Sequence, residues 1–145
     1  MILYLDSSAL VKRYFQERGS HKVLTAWREA EGIAISVVAW AECLAAFHRK
    51  KREGTLSTQE LNQVVSQLKQ DWGSFILIHV SSEINQQVEQ ILKRRPLRGF
   101  DALHLASAVV IKKKLKETPT FACADQHLNT AAGAEGLEVL DVGED

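Results

Sequence analysis

The pattern that most restricts this chain is an alternation. Short apolar runs are each followed by a stretch with helical periodicity, and several of the runs stop at a serine or a carboxylate. Ile2-Leu3-Tyr4-Leu5 ends at Asp6-Ser7-Ser8, Ile33-Ala34-Ile35 at Ser36, residues 75–80 at Ser81-Ser82, and residues 119–124 at Asp125; a last run covers 137–142. Runs that are apolar throughout suit strands buried on both faces, and strands separated by helix-length segments are joined by crossovers that make them parallel. The pattern predicts an α/β fold, a three-layer α/β/α sandwich with a mostly parallel central sheet and Asp6 at its centre. With 145 residues the chain has room for one core, so residues 1–145 are expected to form a single domain.

Local signals fill in the helices. Ser7 or Ser8 is the expected N-cap of a helix over 9–15, with another over 20–30. A helix over 38–51 carries Ala41, Leu44, Ala45 and His48 on one face and ends at Gly54. Ser57 and Glu60 have the spacing of a capping box, and Trp72-Gly73 closes that helix. Residues 75–80 read as the clearest strand. Ser81 opens a helix that Pro96 stops, and Phe100 to Lys114 is a helix with Ala102, Leu105, Ala106 and Val109 on one side. A short helix over 126–132 precedes the last strand, and residues 143–145 read as a frayed tail.

Composition excludes several classes. With 46% hydrophobic and 25% charged residues the chain can bury a core and is not disordered. No apolar run approaches the ~18 residues of a membrane span, and the start lacks a signal peptide's cationic region, so a cytoplasmic protein is expected. Cys43 and Cys123 form no zinc-knuckle spacing and are expected as free, buried thiols. The zero net charge hides a segregation. Residues 1–47 balance, residues 48–116 hold thirteen basic against six acidic side chains, and residues 117–145 hold seven acidic and no basic ones. The positive charge sits in Arg49-Lys50-Lys51-Arg52, in Lys93-Arg94-Arg95 with Arg98, and in Lys112-Lys113-Lys114 with Lys116. Such clusters suit phosphate contacts, or equally the cation-favouring C-terminal ends of helices.

Open parallel sheets place their sites at the carboxyl ends of the strands. Asp6 and Asp125 fall there, Glu42 lies early on the helix after the second strand, and Asp101 is in the first turn after Gly99. Singly, each has a plain reading: Asp125 as a helix cap, Asp101 as a first-turn acid, Glu42 as a solvated helix residue. Asp6 is harder to place without a partner, because a carboxylate at the end of a buried strand is costly. Together, four carboxylates without thiolates form a hard-ligand set suited to Mg²⁺ or Mn²⁺, which can activate water for phosphoryl displacement. His104, one turn after Asp101, is expected to be packed and hydrogen-bonded rather than a ligand, and Trp27, Trp40 and Trp72 to be core or interface residues rather than base-stacking platforms. No glycine-rich phosphate loop or Ser/His/Asp arrangement is present.

Four segments carry a family resemblance. Tyr4-Leu5-Asp6-Ser7-Ser8-Ala9-Leu10-Val11-Lys12, Trp40-Ala41-Glu42-Cys43, Phe100-Asp101-Ala102-Leu103-His104-Leu105-Ala106-Ser107-Ala108 and Phe121-Ala122-Cys123-Ala124-Asp125-Gln126-His127-Leu128 resemble, in order, the four acidic motifs of PIN-domain nucleases, above all the VapC-type toxins of toxin–antitoxin pairs. The resemblance spans the whole chain. It implies a Mg²⁺-dependent endoribonuclease whose metal site is Asp6, Glu42, Asp101 and Asp125, with Ser8 supplying a hydroxyl that orients them. It also implies an RNA substrate, a homodimer and a small cognate antitoxin. Cys123 departs from the Thr or Ser of many relatives, and residues 53–80 inherit nothing. The alternatives are a PIN nuclease of RNA processing or decay, and a catalytically idle nucleic-acid-binding module.

Overall fold

In the computed structural model, which describes residues 1–145, the alternation becomes five strands and seven helices. In chain order they are β1 (Ile2–Leu5), α1 (Ser7–Val11), α2 (Ser20–Glu29), β2 (Gly32–Ser36), α3 (Ala39–Arg52), α4 (Thr58–Trp72), β3 (Ile76–Ile78), α5 (Ser82–Arg94), α6 (Gly99–Leu115), β4 (Thr120–Cys123), α7 (Gln126–Ala134) and β5 (Glu138–Asp141). Every strand pairing is parallel, and the order across the sheet is β3-β2-β1-β4-β5. The chain therefore winds outward from β1 to one edge, returns, and winds to the other. The reversal falls between β1 and β4, which is where open α/β sheets leave a crevice at the carboxyl ends of their strands.

The period-two geometry of β1 divides the interior. Ile2 and Tyr4 point into one core with Ala34 and Phe121, covered by Ile84 and Ile91 of α5, most of α6, and Leu128 of α7. Leu3 and Leu5 point into the other with Ile35 and Ala122, covered by residues of α1 to α4, among them Leu10, Val23, Phe47 and Leu68. Helices on both faces of the sheet make the expected three layers. Each fully buried Leu, Ile or Phe contributes about 1.5–3 kcal/mol. Ser57 and Glu60 close their capping box at 3.0 and 2.9 Å, and the Ser81 hydroxyl accepts the Ile84 N–H at 3.3 Å. No helix is long and apolar enough to cross a membrane.

Five local expectations are corrected. The N-cap of α1 is Asp6, not Ser7 or Ser8; its carboxylate accepts the Ala9 N–H at 3.0 Å. That helix stops at Val11 rather than continuing to 15, and Lys12 after it turns inward, its ammonium donating to the Arg18 carbonyl at 2.6 Å and pairing with Glu17 at 3.3 Å. The strand expected over 75–80 is only Ile76–Ile78 and lies at the sheet edge, with Ile76 and Val80 exposed. The apolar run was reporting instead the aromatic packing of Phe75 against Trp27 and Trp72, with ring centroids 5.6 and 5.8 Å apart. The packed face of α3 is Ala39, Cys43 and Phe47, while Ala41, Ala45 and His48 are exposed. Finally, the tail is anchored: the Asp145 carboxylate accepts the Gly19 N–H at 2.8 Å. The three tryptophans are half-buried beside the second core, Trp40 against Trp72 at 5.1 Å, and both cysteines are free and buried.

Candidate active site

At the reversal point, β1 and β4 end side by side, with Leu5 opposite Ala122. Each strand is followed by an aspartate that caps the next helix. Asp6 caps α1, and Asp125 caps α7 by accepting the Leu128 N–H at 2.9 Å. In both cases Oδ1 does the capping. Glu42 comes from the first turn of α3, and Asp101 from the first turn of α6. The four carboxylates, with Ser7, Ser8 and His104, line one cavity of about 780 Å³. The plain and functional readings of Asp125 thus coexist in one side chain.

Asp6 lies deepest. It is 5% exposed, and its hydrogen-bond donors, the Ser8 hydroxyl at 2.6 Å and the Ala9 amide at 3.0 Å, are both neutral. Burial raises its pKa above the ordinary carboxylate value, against smaller lowering effects from His104 and from its hydrogen bonds. Ser8 also accepts the Ala124 N–H at 3.0 Å, which ties the Asp6 carboxylate to the end of β4. The thiol of Cys123 accepts the Asp125 N–H at 3.2 Å, and burial pushes its pKa well up.

Glu42 is held differently. Ser7 donates to its Oε1 at 2.5 Å, and His104 Nε2 lies 2.8 Å from the same oxygen. Burial pushes the Glu42 pKa up, but the bonds from His104 and Ser7 outweigh it and leave the group below its usual range. An ionised Glu42 requires Nε2 to be the donor, so in the neutral imidazole Nδ1 accepts from the Tyr4 hydroxyl 2.8 Å away. His104 is 2% exposed and, as expected, packed and hydrogen-bonded. The chain Tyr4–His104–Glu42 runs from the middle of β1 to the cavity wall. Ser7 and Tyr4 were not singled out from the sequence as partners; they sit 35 and 100 residues from the groups they bond, and no local spacing reveals that.

Asp101 and Asp125 share a cation. Arg98 Nε donates to Asp101 Oδ2 at 3.0 Å, and its guanidinium comes within 4.0 Å of Asp125 Oδ2. No three of the His, Cys, Asp and Glu side chains stand close enough together to enclose an ion directly. The donor chemistry nevertheless fits Mg²⁺, which is bound through one or two carboxylates and otherwise keeps its waters. One further observation agrees: Asp6 is a buried carboxylate that forms no salt bridge, and only the smaller influence of His104 and its hydrogen bonds offsets its burial. The cavity is lined by six acidic side chains against four basic ones, Lys12, Arg49, Lys50 and Arg98. A polyanion entering it requires added positive charge.

A PIN domain family model matches residues 3–132. Ribonuclease VapC45 of Mycobacterium tuberculosis is 29% identical over 140 residues, 95% of this chain and 94% of that protein. Among solved structures, FitAcB from Neisseria gonorrhoeae superposes with a TM-score of 0.70 at 16% identity, covering 99% of both chains. A toxin–antitoxin complex from Klebsiella pneumoniae gives 0.64 at 18% identity, again with 99% of both chains covered. At those identities the two structures establish a common fold.

Proposed function

The chain belongs to the PIN domain family, and on that basis we propose that it is a Mg²⁺-dependent endoribonuclease, with Mn²⁺ as an alternative ion, acting as the toxin of a toxin–antitoxin pair. The observation that carries the reading is the convergence of Asp6, Glu42, Asp101 and Asp125, from four separate segments, on one cavity at the reversal point of the sheet. The likeness to a protein named a ribonuclease over nearly the full chain supports it.

In this reading one or two of the four carboxylates would hold the ion directly and the others through its waters, and the ion when bound would supply an activated water and charge stabilisation for phosphodiester hydrolysis. The chain's own groups prepare the site. Ser8 and the Ala9 amide fix one oxygen of Asp6 and leave the other free. Ser7 and His104 fix Oε1 of Glu42 in its ionised form and leave Oε2 free. Arg98 holds Asp101 and limits its repulsion with Asp125. Arg49 and Lys50, on the last turn of α3, attract the phosphate backbone toward the cavity rim.

The partners follow from the same reading: a single-stranded RNA segment as substrate, a second copy of the chain, and a small antitoxin. The test has two parts. Purified protein should cut RNA with Mg²⁺ and not with EDTA, and Asp6→Asn should abolish cutting. Induced expression should arrest growth, with relief by co-expression of a small neighbouring gene. Cleavage without arrest favours a nuclease of RNA processing; soluble protein that binds RNA and never cuts it, with either metal, refutes the enzyme and leaves a binding module.

A further inference from the structure

Two of the three basic clusters serve the cavity just described, through Arg49, Lys50 and Arg98. The third does not. Lys112, Lys113 and Lys116 line a separate groove of about 640 Å³ together with Arg94, Gln87 and Glu135. Lys112 donates to the Gly136 carbonyl at 3.0 Å and Lys113 to the Gln87 side chain at 3.2 Å. Both bonds go to neutral acceptors, so neither lysine is neutralised by them. The one acid of the groove is already shared, since Glu135 takes Arg94 and Arg95, each at 2.8 Å. Lys114, on the other side of α6, pairs instead with Glu83 at 3.3 Å and lies outside the groove.

The two cavities are joined by structure. α7 begins at Asp125 in the first and ends beside Glu135 in the second, and carries no charged residue between them. α6 likewise begins at the first and ends at the second. Asp101 and Lys112 are eleven residues apart, which is about 17 Å along the axis and nearly the same side of the helix. Arg98 lines the first cavity and Arg94 the second, with Arg95 between them. We infer that this groove binds the sugar–phosphate backbone of the RNA a few nucleotides from the bond that is cut, so that the strand runs from the carboxylate cavity past Arg98, Arg95 and Arg94, beside α7, to the lysines. The inference rests on the ribonuclease reading, and it adds a docking surface that the chemistry itself does not need.

The test compares Lys113→Gln/Lys116→Gln with a charge-matched control, Lys69→Gln/Lys114→Gln, whose residues line neither cavity. Binding to a long unstructured RNA is measured by anisotropy in a Glu42→Gln background, which keeps the RNA intact, and cleavage is measured in the otherwise native chain. Loss of two phosphate contacts should weaken long-RNA binding about tenfold at low salt and reduce the slope of log K against log salt by about 1.4. The control should bind as the parent does. Cleavage of an oligoribonucleotide too short to leave the first cavity should be the same in all three, and melting temperatures should not differ. Equal loss in both variants, or no loss in either, overturns the inference, as does a parent chain that binds poly-glutamate through these lysines as tightly as RNA. A parent chain that binds long RNA through these lysines but cuts nothing leaves the groove standing and removes the nuclease reading.

Discussion

Asp6→Asn separates the cost of a buried charge from the value of a ligand. The carboxylate is 5% exposed and its hydrogen-bond donors are neutral. Burial raises its pKa, so the ionised form is disfavoured in the folded chain. For an acid whose folded pKa lies above its unfolded value, stability is full below the unfolded value near 3.8 and is lost as pH rises through the folded one. Above the folded pKa the wild type therefore carries the whole penalty. Asparagine keeps the Oδ1 that caps α1 and accepts from Ser8. Exchanging two charge-assisted bonds for neutral ones loses about 1 kcal/mol in total, while relief of the buried charge returns a few kcal/mol. The net expectation is a gain of about 1–2 kcal/mol in EDTA, or roughly 2–8 °C for a domain of this size. The gain should shrink as pH falls through the folded pKa, where the wild-type carboxyl takes up its proton, and vanish below the unfolded value. Added Mg²⁺ should raise the melting temperature of the wild type and not of the variant, and RNA cleavage should fall about a hundredfold or more. Calorimetry at neutral and acidic pH, with and without Mg²⁺, checks all of this. A variant that melts lower than the wild type in EDTA at neutral pH, or whose advantage does not depend on pH, refutes the account of Asp6 as an uncompensated buried charge.

Asp101→Asn should behave differently: Arg98 already neutralises this carboxylate, so the melting temperature in EDTA should stay near that of the wild type while the Mg²⁺-induced rise and the cleavage activity are lost. Tyr4→Phe removes the donor to His104 Nδ1 and should cost about 1–2 kcal/mol in urea unfolding, with weaker Mg²⁺ binding by isothermal titration because Glu42 loses its fixed neighbour. Asp125→Ala should be about 1 kcal/mol less stable than Asp125→Asn, since alanine cannot cap α7, while both variants lose cleavage.

The layered parallel sheet was legible because strands buried on both faces are apolar without interruption, and helix-length spacing between them leaves only crossover connections. The positions of Asp6 and Asp125 followed from the same logic, since a carboxylate just past a buried strand falls at the sheet's carboxyl edge. What the sequence did not disclose depends on distance through space. The pairing of Ser7 with Glu42, of Tyr4 with His104, and of Lys112 with the end of α7 joins segments whose proximity only the winding order creates. The misassigned face of α3 has a simpler cause. Alanine is apolar but small, so Ala41 and Ala45 stay exposed at little cost, whereas Cys43 and Phe47 cannot be read as a stripe until Ala39 is placed with them. Residues 75–80 misled because apolar side chains at a sheet edge can pack against aromatic neighbours without extending the strand.

The two capping aspartates impose an asymmetry on how this chain can decay over generations. Asp6 and Asp125 each spend one oxygen on starting a helix, so a lineage released from selection for cleavage still needs a cap at both places. Neither Glu42 nor Asp101 caps a helix, but Glu42 anchors the chain from Tyr4 through His104. In descendants that have lost the activity, positions 6 and 125 should therefore drift only among Asp, Asn, Ser and Thr, and 42 should keep an acceptor for the buried His104, while 101 wanders freely. Retained acids at the strand ends without one at 101 would then mark a folded relic, and an intact acid at 101 would mark a working site.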